Sequence, residues 1–201
     1  MNAKIGISER FSRIEQMIGV DGLKKLNSAS VIVVGLGAVG SYAVEALARA
    51  GVGRIKVVDF DLIKPSNINR QLYALESTMG NAKVDVAANR ILDINPKCRV
   101  EKMNVFVHKE TVNSVLAGEW HLLIDAIDSL NPKVELLIGA KNAGINVISS
   151  MGAAMRRDPS LVRVGSLEQV KNCPLARQIR KKLRRLKADV DIPCVYSMEK
   201  V

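Results

Sequence analysis

Residues 31–61 read VIVVGLGAVGSYAVEALARAGVGRIKVVDFD, and this stretch decides the fold. Residues 31–34 are a continuous β-branched run, typical of a central parallel strand that is covered on both faces. The segment after the glycines predicts a helix at 39–50, and a second strand is predicted at 55–58, just before two acidic residues. A strand, a helix and a parallel strand in this order form the unit from which doubly wound α/β sheets are built.

Three glycines follow the first strand with the spacing GxGxxG, at Gly35, Gly37 and Gly40. The first allows a tight turn, the second lets the backbone approach a phosphate, and the third lets helix and strand pack closely. The N–H groups at the start of the next helix then face an anion, which the helix dipole favours. Asp59 ends the second strand, where an acid can accept hydrogen bonds from ribose hydroxyls. The pattern predicts a bound nucleotide and leaves NAD and ATP both open.

The rest of the chain continues to alternate between strands and helices. Helices are predicted at 83–94, 111–117 and 131–143, and strands at 99–107, 122–124, 147–150 and 161–164. Glycines 19 and 22 are expected to break the helical segment at 9–26. This alternation predicts an α/β, Rossmann-like fold: a doubly wound, mainly parallel sheet with helices on both faces.

The side chains that follow the second strand favour ATP over NAD. Asn67, Arg70 and Lys83 lie shortly after Asp59 and supply cationic and polar contacts for phosphates. A nicotinamide cofactor rests its two phosphates on the glycine turn, whereas a triphosphate and its leaving group need Arg and Lys contacts. Lys83 begins a predicted helix, where a lysine opposes the dipole unless an anion compensates it. Asp128 follows another strand's carboxyl end, where a carboxylate can hold the Mg²⁺ that accompanies ATP.

Composition excludes several classes of protein. The 201 residues are 48% hydrophobic, enough for one well-buried domain. No apolar run reaches the about 18 residues of a membrane span, and the N-terminus lacks the apolar core of a signal peptide, so we expect a cytoplasmic location and no membrane partner. The three cysteines form no CxxC pair, which argues against a zinc knuckle and a disulfide framework.

A net charge of +10 indicates a polyanionic partner, of which nucleic acid is the commonest. Leu175, Ile179, Leu183 and Leu186 repeat at helical spacing among basic residues, which predicts an amphipathic helix with a cationic face. Its cations are Arg177, Arg180, Lys181, Lys182, Arg184, Arg185 and Lys187. The alternative is an ordinary surface helix with a solvated charged face.

Five ordered blocks resemble the adenylating enzymes related to ubiquitin-activating enzyme, the ThiF-like family, which includes the activators of sulfur-carrier proteins. The blocks are RFSRIEQMIG (10–19), the stretch 31–61, SNINRQ (66–71), GNAKVDVAANRILDINP (80–96) and LLIDAIDS (122–129). From this resemblance we expect an N-terminal helical arm (1–27), an ATP-binding Rossmann-like domain (28–150) and a C-terminal part of the same domain with the basic helix (151–201).

The resemblance also implies a set of site residues. ATP would be held by Gly35, Gly37, Gly40, Asp59, Asp61, Asn67, Arg70, Lys83 and Asp128. Arg70, Lys83 and Asp128 would be catalytic, with Mg²⁺ at Asp128, and Arg13 would reach across a homodimer into the partner's ATP site. In the family, a substrate carboxylate attacks the α-phosphate to give an acyl-adenylate and pyrophosphate, by charge stabilisation and orientation without a protein nucleophile.

The chain from AIDSLNPKVELL (126–137) onward resembles one subgroup, the tRNA threonylcarbamoyladenosine dehydratases. The resemblance implies adenylation of the modified nucleoside's carboxylate, then ring closure with loss of AMP, and contact of the seven helix cations with tRNA. These enzymes continue with a further segment after the position of Val201, so we expect the chain to be truncated.

Three alternatives stay open. An activator of a sulfur-carrier protein would keep the ATP site, although such enzymes usually carry two CxxC pairs that this chain lacks. An NAD-dependent oxidoreductase accounts for residues 35–59 but leaves Arg70, Lys83 and Asp128 unexplained. A non-catalytic RNA-binding module would use only the basic surface. Cys194 is interpreted as structural or substrate-adjacent, and docking of a sulfur-transfer partner stays an open possibility.

Overall fold

The computed structural model describes residues 9–200, so the first eight residues of the expected N-terminal arm and Val201 lie outside it. Its sheet has seven strands in the order β3-β2-β1-β4-β5-β7-β6. The strands are β1 (Ser30–Val34), β2 (Arg54–Val58), β3 (Arg99–Met103), β4 (Leu122–Asp125), β5 (Asn146–Ser150), β6 (Val162–Ser166) and β7 (Pro193–Ser197). Every neighbouring pair is parallel except β6 and β7. The predicted α/β class with a mainly parallel sheet is therefore confirmed.

Six α-helices accompany the sheet in residues 9–200. They are α1 (Ser12–Ser28), α2 (Gly40–Ala50), α3 (Lys83–Ile94), α4 (Val112–Leu116), α5 (Leu130–Asn142) and α6 (Pro174–Arg185). Alternate residues of β1 show how they are distributed: Val31 and Val33 pack with residues of α2 and α3, whereas Ile32 and Val34 pack with residues of α4 and α5. A third cluster joins α5 and α6 over β7. Helices thus lie on both faces, as predicted.

One half of the sheet is covered on one face only. Ile124 of β4 packs beside the α2 and α3 cluster, and its register partner on β5 is Ile148, so Ile148 points to that same face. Farther along, Val195 of β7 pairs with Val164 of β6. Ile148 is 38% exposed and Val164 is 78% exposed. The single chain therefore leaves an apolar sheet face open to solvent over β5, β7 and β6, which we call the open sheet face.

The structure corrects the sequence predictions at three elements. The predicted strand 99–107 ends at Met103, because its only neighbour, β2, ends at the paired residue Val58, and the chain then bends away. In α1, Gly19 breaks the helical dihedrals as predicted, with φ of 76°, but Gly22 does not. The sequence pattern also fails to predict β7, which lies between β5 and β6 and depends on both for its hydrogen bonds. No helix in residues 9–200 is long and apolar enough to span a membrane.

Candidate functional site

The glycine turn joins β1 to α2 at the carboxyl edge of the sheet. Gly35 has φ of 89°, a left-handed conformation that glycine adopts without steric cost, and its N–H donates to the Val58 carbonyl at 2.9 Å. A Cβ at residue 40 would lie 1.7 Å from the Gly35 carbonyl oxygen, whereas one at residue 37 would meet only the Gln71 amide nitrogen, at 3.8 Å. Gly40 is therefore needed for packing, while Gly37 keeps the backbone open toward a ligand.

Asp59 is fixed directly beside this turn. The N–H of Leu36 donates to its Oδ2 at 2.6 Å, and the N–H of Asp61 donates to its Oδ1 at 2.8 Å. The carboxylate is nearly buried, at 9% exposure. Each oxygen can still accept a further hydrogen bond, so the geometry is compatible with binding ribose hydroxyls.

The predicted nucleotide-binding residues, Gly40 and Arg13 excepted, line one cavity of about 190 Å³. Those residues are Gly35, Gly37, Asp59, Asp61, Asn67, Arg70, Lys83 and Asp128. Gly40 packs beneath the turn rather than in the lining. The cavity lies at the carboxyl edge of a parallel sheet, near the point where strand order reverses between β1 and β4, where open α/β sheets bind their ligands.

Lys83, the first residue of α3, supplies a buried positive charge to this cavity. Its Nζ lies 2.8 Å from Asp61 Oδ2 and 3.9 Å from Asp59 Oδ1, and its side chain is only 5% exposed. These two carboxylates compensate the charge that a lysine places at a helix N-terminus. The ammonium is thereby held at the edge of the cavity, where it can also interact with a bound phosphate.

Asn67 and Arg70 lie on the turn that follows the strand β2. Asn67 is nearly buried and accepts the Lys64 N–H at 3.0 Å through its Oδ1. The Arg70 guanidinium is exposed and donates to the Ser66 carbonyl at 2.8 Å and to the Asn69 amide oxygen at 2.9 Å. Because only local groups hold it, the Arg70 side chain can rearrange toward an anion without breaking a core contact.

An aromatic pair in the cavity lining escaped the sequence predictions. The rings of Phe60 and Phe106 meet edge to face with their centroids 4.8 Å apart, and His108 stacks on Phe106 at 6.3 Å. Phe60 and Phe106 are about half exposed, at 52% and 44%, so they offer an apolar surface to a ligand. No local pattern marks this pair, because Phe60 and Phe106 lie far apart in sequence and meet only in the folded chain.

A fully buried ion pair lies behind the loop that carries Asp128. Lys133 Nζ is 2.8 Å from Asp125 Oδ2, with both side chains at 0% exposure, and it also donates to the Ile127 carbonyl at 2.8 Å. Ser149 Oγ donates to the same Asp125 oxygen at 2.6 Å. Asp128 itself is exposed at the cavity. The sequence predictions missed Asp125 and Lys133, because nothing local distinguishes a buried charge from a solvated one.

A second cavity, of about 660 Å³, adjoins the first and shares Gly37, Arg70 and Asp128 with it. It also shares Gln71, Ala126 and Ile127 with the first cavity, and the glycine turn adds Ala38 and Val39. The rest of its lining is mostly small or apolar and comes chiefly from the loop after β5 and from the start of α6. These residues include Met151, Ala153, Ala154, Met155, Pro174 and Leu175. We call it the acceptor cavity, because a molecule bound there would lie next to one bound at the glycine turn.

Arg13 lies on α1, is exposed and donates to the Gln16 side chain at 3.1 Å. It lines neither cavity of its own chain. Its implied contact with a partner's site stays a prediction.

The basic helix is confirmed as α6, whose buried face consists of Ala176, Ile179 and Leu183. Two of the predicted cations are half-buried and donate to other segments of the chain. Arg180 donates to the carbonyls of Leu167 and Val170, and Lys182 donates to the Asn131 side chain. The others are exposed: Arg177, Lys181, Arg184, Arg185 and Lys187. Arg184 lies 3.3 Å from Glu168.

Cys194 lies in the interior of β7 at 0% exposure. Burial raises the pKa of its thiol to about 12, and burial likewise raises the pKa of Cys98 to about 11. A thiol with so high a pKa carries almost no thiolate at neutral pH, and the thiolate is the nucleophilic form. The structure thus favours a packing role for Cys194 over a nucleophilic one.

Comparison with known proteins places the chain in a family. The model of the ThiF family matches residues 11–192. The chain belongs to the ThiF family.

Similar proteins span most of its length. The tRNA threonylcarbamoyladenosine dehydratase of Bacillus subtilis is 41% identical over 190 residues, covering 94% of this chain and 75% of the relative. The structure of Escherichia coli tRNA N6-threonylcarbamoyladenosine dehydratase in complex with ATP has 35% identity and a TM-score of 0.93, covering 98% of this chain and 86% of that one. The molybdopterin-synthase adenylyltransferase of Salmonella typhimurium is 34% identical, covering 74% of this chain and 59% of the relative.

Proposed function

We propose that this protein uses ATP to dehydrate threonylcarbamoyladenosine in tRNA, through adenylation of the nucleoside's carboxylate. The observation that carries the proposal is the pair of adjoining cavities that share Arg70 and Asp128. One cavity has the glycine turn and charged side chains suited to a nucleotide, and the other has the apolar lining suited to an acceptor. Extensive similarity to relatives named as dehydratases supports the choice of acceptor.

In the proposed reaction the N–H groups of the glycine turn and the start of α2 bind phosphate oxygens. The acceptor carboxylate attacks the α-phosphate, and pyrophosphate leaves. Lys83 and Arg70 stabilise the negative charge that builds up on the phosphate oxygens during this step. The nucleoside's own nitrogen then attacks the activated acyl carbon, AMP leaves with the carboxylate oxygen, and the nitrogen loses its proton. The net change in the nucleoside is the loss of one water and the closure of a ring.

Mg²⁺ is proposed to bind through Asp128 together with the phosphates of ATP. Among residues 9–200 no three acidic, His or Cys side chains converge as a metal site. One exposed carboxylate beside a phosphate site nevertheless fits Mg²⁺, which is commonly held by one or two carboxylates, substrate phosphates and water. In this role Asp128 orients the metal and the phosphates against the acceptor carboxylate.

A homodimer is proposed on the basis of the open sheet face. Val164, Val162 and Ile148 expose apolar surface there at 78%, 47% and 38%, and a contiguous exposed apolar patch is typical of an interaction surface. A second copy of the chain can cover the patch symmetrically. We propose that Arg13 of each subunit then acts in the ATP site of its partner. An enzyme with a tRNA substrate is expected in the cytoplasm.

The test is nucleoside mass spectrometry after incubation of the protein with MgATP and tRNA that carries threonylcarbamoyladenosine. We expect the modified nucleoside to lose one water, and Lys83→Ala or Asp128→Ala to slow this loss by about 10²–10³-fold. Lys97→Ala is the matched control, because Lys97 is exposed just before β3, at the opposite edge of the sheet. Thermal unfolding of each variant with and without MgATP separates lost chemistry from lost folding.

Adenylation of a sulfur-carrier protein is the second candidate, supported by the similarity to molybdopterin-synthase adenylyltransferase. Exchange of pyrophosphate into ATP that depends on an added carrier protein, with no change in the tRNA nucleoside, would replace the first proposal with this one. Stabilisation of the chain by NADH but not by MgATP would overturn both.

A further inference from the structure

A third cavity, of about 600 Å³, adjoins the acceptor cavity at the start of α6. The two share Cys173 and Pro174 in their linings. The glycine turn, the acceptor cavity and this third cavity therefore adjoin one another in series. An elongated ligand whose reacting group lies in the acceptor cavity can extend into the third one.

Four basic side chains line this third cavity: one from the loop before α6, two from α6 and one from the C-terminal end of the described chain. They are Lys171, Arg177, Arg180 and Lys200. Val170, Asn172, Cys173 and Pro174 complete the lining, so none of the lining residues in the described part of the chain is acidic. We call this the cationic cavity.

Arg180 is held in place by the protein itself. Its Nη1 donates to the Leu167 carbonyl at 2.8 Å and to the Val170 carbonyl at 2.9 Å. A guanidinium carries five N–H donors in a rigid fork, so Nε and Nη2 stay available to a ligand. Arg180 is half-buried, whereas Lys171, Arg177 and Lys200 are exposed around it. A cation fixed by hydrogen bonds among exposed cations is an arrangement suited to a multiply charged anion.

Nearby acidic side chains are occupied elsewhere. The Glu199 carboxylate accepts the backbone N–H groups of Arg157 and Asp158, and Glu168 pairs with Arg184. A hydrogen bond links the two cavities. Arg156, which lines the acceptor cavity, donates to the carbonyl of Asn172, which lines the cationic cavity, at 2.5 Å. Four like charges around a cavity without a counter-charge repel one another, and the dipole of α6 adds further positive potential at its N-terminus. A bound anion would reduce the repulsion among the four cations and would interact favourably with the dipole of α6.

We infer that the cationic cavity binds the phosphodiester backbone of the RNA beside the nucleotide whose base enters the acceptor cavity. The inference rests on the proposed function, and it assigns to these residues a task distinct from general attraction of tRNA. Phosphate contacts fix the register of a nucleic acid without reading its sequence. The cavity thus positions the reacting nucleoside and makes a nucleotide within a chain a better substrate than the free nucleoside.

The experiment compares two stem–loop RNAs that carry threonylcarbamoyladenosine. One has natural phosphates, and the other has neutral methylphosphonates on either side of the modified nucleoside. The enzymes are the wild type, the double variant Lys171→Gln/Arg177→Gln and the charge-matched control Lys97→Gln/Arg99→Gln. Lys97 and Arg99 are exposed at the opposite edge of the sheet. The readouts are kcat/KM from nucleoside mass spectrometry and RNA affinity from fluorescence anisotropy at fixed salt.

We expect the cavity variant to lower kcat/KM and affinity at least about tenfold on the natural RNA, since charge-assisted phosphate contacts are the strong ones. On the methylphosphonate RNA the variant and the wild type should agree within about twofold, because the phosphate charge that the cations recognise is gone. The control should match the wild type on both RNAs. Equal losses on both RNAs, or no loss on the natural one, would overturn the inference.

The two proposals fail in different ways. If the wild type binds the RNAs but dehydrates neither them nor whole tRNA, the proposed function fails. In that case the dependence of RNA affinity on the flanking phosphates still decides whether the cationic cavity binds them.

Discussion

Gly37 and Gly40 belong to one motif but have different structural tasks. A Cβ at residue 40 would collide with backbone, whereas one at residue 37 would have ordinary van der Waals space. The motif predicts both residues from spacing alone, but it cannot predict which glycine serves packing and which serves a ligand. That depends on how closely the start of α2 packs against the Gly35 carbonyl once the turn has formed.

We therefore expect opposite effects from the two alanine substitutions. Gly40→Ala should lower the free energy of unfolding by about 3 kcal/mol or more, because the Gly35 carbonyl cannot move away without distorting β1. Gly37→Ala should unfold like the wild type but bind ATP roughly tenfold more weakly, since the methyl group points into the phosphate path. Urea unfolding and calorimetric titration with MgATP measure the two effects. Equal loss of stability in both variants would contradict this division of roles.

Lys133 and Asp125 depend on each other, because both are fully buried. Removing one charge from a buried pair leaves the other uncompensated in an apolar interior. Lys133 also fixes the Ile127 carbonyl next to Asp128, so the pair affects both stability and the position of the site loop.

Lys133→Met should accordingly destabilise the fold by about 3–5 kcal/mol in urea unfolding. The double variant Asp125→Asn/Lys133→Met should be more stable than Lys133→Met alone, because no lone charge remains buried. A double variant no more stable than Lys133→Met would contradict this account, because it would show that the lone buried carboxylate is not the source of the loss.

Helix α6 shows what sequence patterning predicts well at the scale of an element. The spacing of Leu175, Ile179 and Leu183 predicts the helix and its buried face, since the helical period is a local property of the chain. The same pattern assigns all of the helix cations to one task. The structure engages Arg180 and Lys182 with other segments, which spacing along one helix cannot predict.

The exposed cations of α6 should make tRNA binding depend on salt. Lys181→Gln/Arg185→Gln should reduce the slope of log affinity against log salt concentration by about 2, because each phosphate contact releases about one counterion. Filter binding from low to physiological salt measures the slope. The control Lys97→Gln/Arg99→Gln should keep the wild-type slope, and a reduction as large in the control would indicate a general charge effect instead.

The open sheet face is a property of the whole molecule, since it comes from strands that are far apart in sequence. We expect Val164→Asp to convert a dimer into a monomer in analytical ultracentrifugation, because a carboxylate would be buried without a partner at the interface. Leu92→Asp on α3 is the control, since Leu92 is 43% exposed but lies away from this face. A dimer that persists in Val164→Asp would exclude this face as the interface.

A second prediction at this scale concerns Arg13. If it completes the partner's site, Arg13→Ala and Lys83→Ala should each be inactive, yet a mixture allowed to exchange subunits should regain dehydratase activity. A mixed dimer then contains one site with both an intact Lys83 and an intact partner arginine. No recovery, in a mixture shown by mass spectrometry to contain mixed dimers, would mean that Arg13 acts within its own chain or not at all.

The sequence by itself determined the βαβ unit, the edge of the sheet at which a nucleotide is expected to bind, and the family. These follow from β-branched runs, glycine spacing and helical periodicity, which are local patterns. Only the tertiary structure decided that Lys83 pairs with Asp61, that Asp125 and Lys133 are buried together, and that β7 lies between β5 and β6. It alone also decided that three cavities adjoin. These features depend on which distant segments become neighbours, and burial, which decides how strongly charges interact, is created only when the sheet and its helices pack.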